Sequence, residues 1–405
     1  MEFDVLVIGA GVAGLKAVAE LAADGLFSLV VEKGLFPGGQ ASHLPCKATD
    51  NCARCNACLL EETMADLAGR DQHRVLYRTT LTGLEKTDRG LRAVLHTAPL
   101  YLDPDKCTGC GLCYEKCPAR GRAIKKAPVS LYGPAYGLDP EGCRHFQDGD
   151  CRTCAEVCPA GAIDLAGRAK DWTAEVKAVV AACGFTPFDP AQKPRYGHDL
   201  FPDVISALEL DLMLRVTGEL KKPSNGLIPD RVAFIQCVGS RDKSLGRDYC
   251  SRICCGYALR LAALIKHRRP ETLVSLFYMD LQNTGRDFDR YYRKLKGQVE
   301  FIHGVPGEIT AGEEDGLAAP FFNESTGRRE TRVFDLVVLS IGLGPPEAGL
   351  LEVLGLAADE DGFFRDRPEE GIFVAGAASG PKNVAESAGS AVEAAARAAA
   401  WVKKR

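Results

Sequence analysis

The sequence predicts an α/β fold of two doubly wound units, the first of them interrupted by a small α+β insert. Three observations carry this. The chain opens with a strand, a glycine turn, a helix and a second strand in "DVLVIGAGVAGLKAVAELAADGLFSLVVEK". A similar alternation returns between about 228 and 312, in "RVAFIQ", "ALRLAALIKH", "TLVSLFYMDL", the helix-like "DFDRYYRKLK" and "VEFIHG". Strands and helices alternating in this way form parallel sheets with helices on their faces. Between the two units lie cysteine runs that belong to neither pattern.

A chain of 405 residues can hold two or three domains, each with its own core. The net charge of -4 gives no reason to expect nucleic acid, and the basic spots "KHRRP" (266–270) and "KKR" (403–405) read as solvated helix ends. The opening "MEFDVLVIGAG" puts an acid before a buried-strand pattern, with no basic n-region and no cleavage site, so a secretory signal is not expected. No apolar run reaches the roughly 18 residues needed to span a bilayer. A cytoplasmic protein without a membrane span is the expectation. Its 17 cysteines then need a cause other than disulfides, which a reducing compartment does not favour. All but Cys183 fall into four tight groups, 46/52/55/58, 107/110/113/117, 143/151/154/158 and 237/250/254/255, and such clustering points to metal.

The first element pair carries a dinucleotide fingerprint. Gly9 allows the tight turn, Gly11 lets backbone approach a pyrophosphate, and Gly14 lets helix pack on strand. The helix start supplies N–H groups and the positive end of its dipole. Glu32 ends the second strand, placed to accept from a ribose hydroxyl, and Lys33 beside it joins the candidate site. "PGGQ", with Gly38, Gly39 and Gln40, follows as it does in thioredoxin-reductase-like flavoproteins, which this stretch resembles; the resemblance implies FAD rather than NAD. "TRVFDLVVLSIGLGP" and "GIFVAGAASGPKNVAESAGSAVEAA" resemble the late strands and closing helix of that fold. "AEVKAVVAACGFTPFD" (174–189) resembles its crossover strand, with Cys183 where a threonine is usual and Gly184 after it. The closing strand departs from the pattern: it ends Gly376-Ala377 where an aspartate usually holds the ribityl chain. Contacts to FAD there must differ, with Lys382 or Asn383 as the candidate substitutes.

The insert reads as a bacterial 2[4Fe-4S] ferredoxin of α+β type. "CTGCGLCYEKCP" (107–118) has the C-x2-C-x2-C-x3-C-P spacing in which three cysteines wrap one cluster and the fourth reaches its neighbour. "CRHFQDGDCRTCAEVCPAGAID" (143–164) is its partner with a longer first loop. By the crossing rule one cluster takes Cys107, Cys110, Cys113 and Cys158, the other Cys143, Cys151, Cys154 and Cys117. Both runs follow a "DP" pair (103–104 and 139–140), a weak internal repeat. Zinc would call for two paired dithiol knuckles, which this run fits badly.

The second unit lacks its phosphate loop. After "RVAFI" comes "QCVGSRDKSLGRDYCSRICC" (236–255), with Gly239 alone in the loop, so nicotinamide binding is expected to be lost. Cys237, Cys250, Cys254 and Cys255 stand there instead. A helix start lowers thiol pKa and favours the thiolate, so a further [4Fe-4S] cluster is the preferred reading. A redox dithiol at Cys254–Cys255 is the competitor, but it leaves Cys237 and Cys250 unused.

Together, "QCVGSRD…YCSRICC", the inserted ferredoxin and "GIFVAGAASGPKNVAESAG" resemble the A-type polypeptide of heterodisulfide reductase from residue 3 to about 400. The resemblance implies two Rossmann-like, thioredoxin-reductase-like domains and an FAD-bearing hub that passes electrons through clusters to partner subunits, with electron bifurcation in some complexes. It implies a noncubane-motif cluster at Cys237, Cys250, Cys254 and Cys255, close to the flavin. Implied partners are B and C subunits or other redox subunits, with ferredoxin, a hydrogenase or a dehydrogenase as donor; a homodimer stays open. Longer members carry an extra N-terminal domain and a further C-terminal ferredoxin, neither found in this short form, so docking is expected to differ. The expected domains are 1–100, 168–200 and 316–405 for FAD, 101–167 for the ferredoxin, and 201–315 for the degenerate nicotinamide-type unit.

"CKATDNCARCNACLL" (46–60) is less regular. The family usually shows C-x2-C followed by "IL", matching Cys55 and Cys58, while Cys46 and Cys52 are extra. A full cluster on these four is favoured, with a partial iron site or zinc left open. The seven histidines are scattered and read as structural or solvated, and no side chain offers itself as a general acid or base. Two other functions stay in view. One is an NAD(P)H-dependent iron–sulfur flavoprotein oxidoreductase, similar to the small subunit of glutamate synthase, which would need a second glycine fingerprint. The other is a non-catalytic relay or assembly subunit whose flavin does not cycle.

Overall fold

The computed structural model describes residues 3–119, 121–282 and 288–404. Met1 and Glu2 of the opening stretch, Asp287 of "DFDRYYRKLK" and Arg405 of "KKR" lie outside them. The first sheet is parallel throughout, in the order Ile372–Val374, Ala178–Ala181, Val5–Ile8, Ser28–Val31, His73–Leu76. Its central strands are near-continuous Val, Leu and Ile because both faces are covered. Helices Val12–Ala23 and Val384–Lys403 cover one face with small residues such as Ala17, Ala391 and Ala398. An antiparallel layer, Thr79–Thr87, Gly90–Thr97 and Lys170–Val176, covers the other through Leu81, Leu95 and Val176.

One strand expectation needs correcting. The stretch 174–189 is not a single strand but three pieces. Lys170–Val176 closes the antiparallel layer, Ala178–Ala181 enters the parallel sheet beside Val5–Ile8, and Thr186–Pro187 pairs with Leu343–Gly344 in a two-stranded link. The chain changes layers at Lys177, whose N–H and ammonium both bind Asp4. A strand cannot belong to two stacked layers at once, so the run must break there.

The second sheet is also parallel, in the order Val204–Ser206, Leu336–Ile341, Arg231–Val238, Leu273–Tyr278, Glu300–His303. Helix Cys254–Arg268 packs on one face, and the Leu317–Asn323/Arg328–Phe334 hairpin on the other. The hairpin feeds directly into Leu336–Ile341, which hydrogen-bonds between Val204–Ser206 and Arg231–Val238 in this sheet. The expected boundary after 315 is therefore displaced: the second unit runs on through Ile341, and the chain returns to the first unit across the link.

The insert is closed at its base by a bridge between Leu102 and Ile163, and holds a short hairpin, Ile124–Lys126 with Tyr136–Leu138. The two "DP" turns are equivalent: Asp103 accepts from the N–H of Asp105 at 3.0 Å, and Asp139 from that of Glu141 at 3.1 Å. Among the described residues no helix is long and apolar enough to cross a membrane.

Helix Val12–Ala23 approaches its own strand so closely that a Cβ on Gly14 would stand 1.8 Å from the Gly9 carbonyl oxygen. Gly14→Ala is expected to destabilise the protein by about 1–3 kcal/mol through overpacking. Gly389→Ala on the exposed side of the closing helix, where a Cβ meets nothing within 4 Å, is expected to stabilise it by about 0.5–1 kcal/mol. Denaturant midpoints of the two variants check both signs.

Candidate functional sites in two crevices and an insert

The glycine-rich crevice lies at the C-terminal ends of the parallel strands of the first sheet, where open α/β sheets bind ligands. Gly9 abuts Ala182 and Cys183 at the end of the neighbouring strand. Helix Val12–Ala23 starts at Gly11 with no side-chain cap and no acid in its first turn, so its leading N–H groups suit an anion. Gly38 donates its N–H to the Ala10 carbonyl at 2.7 Å, and a Cβ on Gly39 would lie 3.2 Å from Gly11 Cα, so the two glycine loops meet backbone to backbone. Gln40 follows, exposed, in the turn Gly39–His43. Glu32 accepts from the N–H groups of Ala10 at 2.8 Å and Gly34 at 2.7 Å, using one lone pair on each oxygen. Lys33 points away to Glu347 at 2.5 Å.

From the far side come Gly184, with open space at its Cα, and Gly376, packed on Ala13. Ala377 is buried beside Gly376. Lys382 donates to Ser379 at 2.8 Å, and Asn383 caps the closing helix by accepting from the Glu386 N–H at 2.9 Å, which leaves its amide NH2 for other partners. Uncapped helix start, two facing glycine loops and a terminal acid fit a dinucleotide such as FAD.

In the insert, the eight cysteines divide between two cavities. Cys107, Cys110, Cys113 and Cys158 line one; Cys117, Cys143, Cys151 and Cys154 line the other. Each run thus contributes its fourth sulfur to the other's cavity. Burial, with neighbouring thiols adding to it, pushes Cys113 and Cys154 up to about 11. Among the described residues no three Cys, His, Asp or Glu side chains converge tightly enough for a single metal ion. A tetrahedral zinc would draw four sulfurs to about 2.3 Å from one centre. Four sulfurs around each cavity fit a cluster that spans its ligands.

The second crevice carries Cys237 at the end of strand Arg231–Val238, Cys250 in the following loop, and Cys254 and Cys255 at the start of helix Cys254–Arg268. The four thiols are mutual electrostatic neighbours, three of them buried and Cys250 half-buried. The expectation that the helix start lowers their pKa is overturned. Burial raises Cys237 to about 12 and also raises Cys254 and Cys255, and adjacent thiols push the same way. Desolvation and like-charge repulsion outweigh the dipole, so these groups are neutral thiols until a cation compensates them.

The glycine after the first strand of this crevice is already covered by a side chain. A Cβ on Gly239 would fall 2.0 Å from Cγ of Phe188, a ring 1% exposed, with the Arg247 guanidinium carbon 5.1 Å from the ring centroid. Here the glycine admits a side chain rather than a pyrophosphate. The loop is also tied to the first crevice. Arg252, at φ +60, donates from its N–H to Cys250 Sγ at 3.3 Å and from its guanidinium to Pro381 O at 3.4 Å and Glu386 Oε1 at 2.9 Å, at the start of the closing helix. The two candidate sites therefore meet across this arginine.

The group at 46–58 lies on a loop clamped between the units. Cys55 acts on Cys58, and both Cys52 and Cys55 act on Tyr291. Arg215 binds the carbonyls of Leu44 and Pro128 and the carboxylate of Glu61, and Arg260 binds the Ala53 carbonyl at 3.2 Å. Lys47 crosses into the second unit to pair with Asp211 at 2.6 Å, both side chains 3% exposed. Burial raises the Asp211 pKa against the pull of Lys47. Lys47, Asp211, Phe188 and Arg252 carry no sequence signal of their own; only Arg252 is flagged by its setting, between two cysteines.

Fold and cysteine groups define the class: a thioredoxin-reductase-like α/β chain carrying a 4Fe-4S binding domain. A family model described as "4Fe-4S binding domain" matches residues 100–120. Thioredoxin reductase of Lactococcus lactis superposes over 100% of both chains with a TM-score of 0.54 at 16% identity, and that of T. acidophilum over 100% of this chain and 98% of its own with 0.54 at 15%, a likeness of fold alone. In sequence, the chain is 34% identical to the A-type polypeptide of the H(2):CoB-CoM heterodisulfide,ferredoxin reductase of Methanothermobacter marburgensis, over 97% of its length and 63% of the relative's. It is 33% identical to the corresponding polypeptide of the ferredoxin:CoB-CoM heterodisulfide reductase of Methanosarcina mazei, over 94% of its length and 51% of the relative's. The chain is thus similar over nearly its whole length to A-type polypeptides of heterodisulfide reductase, and spans between half and two thirds of the length of these relatives.

The Lys47–Asp211 pair gives a test of the clamp. Lys47→Met leaves a buried carboxylate without its counter-charge and is expected to cost about 3–5 kcal/mol, whereas Lys47→Met/Asp211→Leu is expected to recover most of that loss. Urea denaturation of both variants measures the difference.

Proposed function

We propose that the chain is an oxidoreductase subunit that holds FAD in the glycine crevice and iron–sulfur clusters on its cysteine groups, and passes electrons between them and partner subunits of a heterodisulfide-reductase-like complex. The observation that carries this reading is the gathering of Cys237, Cys250, Cys254 and Cys255 in a crevice whose glycine after the first strand, Gly239, is covered by Phe188. Buried neutral thiols that repel one another on ionisation call for a multivalent cation. When bound, FAD supplies electron-pair exchange and the clusters one-electron exchange.

The chain's own residues set the geometry. Gly11, Gly14, Gly38 and Gly39 admit the pyrophosphate of FAD, with Glu32 toward the ribose and Lys382 and Asn383 at the start of the closing helix. Cys107, Cys110, Cys113 and Cys158 hold one insert cluster, and Cys117, Cys143, Cys151 and Cys154 the other. Cys237, Cys250, Cys254 and Cys255 hold a third, which Arg252 anchors beside the flavin site. Cys46, Cys52, Cys55 and Cys58 are the candidate ligands of a fourth, set among exposed thiols where a partner can reach. The relatives' names supply the candidate partners: other heterodisulfide reductase subunits, with ferredoxin, hydrogen or formate systems beyond them.

Anaerobically prepared protein is expected to contain FAD and roughly four iron atoms per cubane site. Cys113→Ser and Cys254→Ser are each expected to lose about one cluster's iron, and the intact protein to show negligible dye reduction with NADH or NADPH. Rapid reduction by either nucleotide, or unchanged iron in Cys254→Ser, would contradict the proposal.

A further inference from the structure

We infer that Ser240 donates its hydroxyl hydrogen to the Cys254 sulfur when the 237–255 loop is loaded, and so raises the reduction potential of that cluster. The inference rests on the reading that these four cysteines hold a cluster. Ser240 is 1% exposed, and among the described residues its Oγ makes no hydrogen bond of ordinary geometry, the Cys254 thiol being its polar neighbour. A buried hydroxyl left unpaired costs about 1–3 kcal/mol, so it calls for an explanation.

Its surroundings supply one. Ser240 donates its backbone N–H to the Cys237 carbonyl at 3.4 Å, and its Cβ lies against Gly342, 3.0 Å from where a Cβ would stand there. The preceding residue, Ile341, turns its carbonyl toward both Cys254 Sγ at 3.8 Å and the Tyr257 hydroxyl at 2.8 Å. The metal-free Cys254 is therefore a thiol donating weakly to a carbonyl. Loading removes that hydrogen, and the sulfur changes from donor to acceptor. It then faces the Ile341 oxygen, which can only accept, and needs a donor from elsewhere. Ser251 is held toward another segment: its Oγ accepts from the Leu343 N–H at 3.0 Å, and no bond of its own to Cys254 is formed. Tyr257 already donates to Ile341. Of the buried hydroxyls here, Ser240 is the one whose interaction favours the Cys254 thiolate.

The consequence is a positioning role. Reduction places one more electron on the cluster and increases negative charge on its sulfurs. An O–H···S bond strengthens as that charge grows, with no proton leaving the serine and no covalent bond changed. Hydrogen bonds to cluster sulfurs raise reduction potentials in this way.

The test compares wild type, Ser240→Ala and Ser240→Thr in anaerobically reconstituted full-length chain, by iron analysis and redox titration followed by electron paramagnetic resonance. Cys254→Ser identifies the relevant signal by its loss. Ser240→Ala is expected to keep its iron and to make reduction of that one cluster about tenfold less favourable, a shift of about 59 mV for one electron. The insert signals stay in place, and Ser240→Thr, which keeps the hydroxyl, retains the wild-type value. An unshifted potential in fully loaded Ser240→Ala, or an equal shift in every cluster, overturns the inference. Equal iron in wild type and Cys254→Ser would instead overturn the cluster reading itself.

Discussion

Desolvated sulfur is the constraint on which the second crevice depends. Thiols at the end of strand Arg231–Val238 and the start of helix Cys254–Arg268 sit where burial and mutual repulsion oppose ionisation. A helix terminus contributes about half an elementary charge, screened within a turn, and cannot overcome several buried neighbours. Raised pKa values keep these sulfurs protonated without a compensating cation. The loop's backbone is unusual as well: Cys237, Arg241 and Arg252 all adopt positive φ without being glycine, a departure that persists only where surrounding structure over-determines it.

A site of this kind has value only if held at a fixed place relative to its electron partner. The structure meets that need with polar groups that cross between the units. Arg252 ties the cysteine loop to the start of the closing helix, Arg215 gathers three segments, and Lys47 is inserted among the second unit's helices to meet Asp211. Buried ion pairs add little net stability, because desolvation consumes most of the attraction. Their contribution here is registry: one arrangement satisfies them, and a rotated or shifted unit leaves charges stranded. Between Thr186–Pro187 and Leu343–Gly344 the covalent link is only a two-stranded ribbon, so these cross-contacts fix the interface.

The two glycine-bearing crevices show how one fold diverges. In the first, glycines 11 and 39 face each other and leave backbone exposed for a ligand. In the second, Gly239 is already covered by the ring of Phe188. Much of this is legible in the sequence. Strand–turn–helix order, the acid at 32 and the cysteine spacings are local, and local patterns survive translation into structure. The exchange of fourth cysteines between the insert's cavities is legible too, because a three-residue gap and a proline carry the last sulfur out of its own loop. The thiols' ionisation is not, since burial is not written in the residues nearby, and the helix start alone points the wrong way. The boundary of the second unit is also hidden, because Leu336–Ile341 reads as a generic buried strand and only its pairing says which sheet it joins.

By itself the sequence determined the elements, the glycine turns and the grouping of the cysteines. Each follows from side-chain period and from spacings of a few residues, which short-range sterics convert directly into geometry. Tertiary structure alone decided which crevice stays open, which sheet the late strand enters, and where buried hydroxyls such as that of Ser240 are left. These depend on residues such as Phe188 and Gly239, or Lys47 and Asp211, that are distant along the chain and meet only when two sheets and their helices pack.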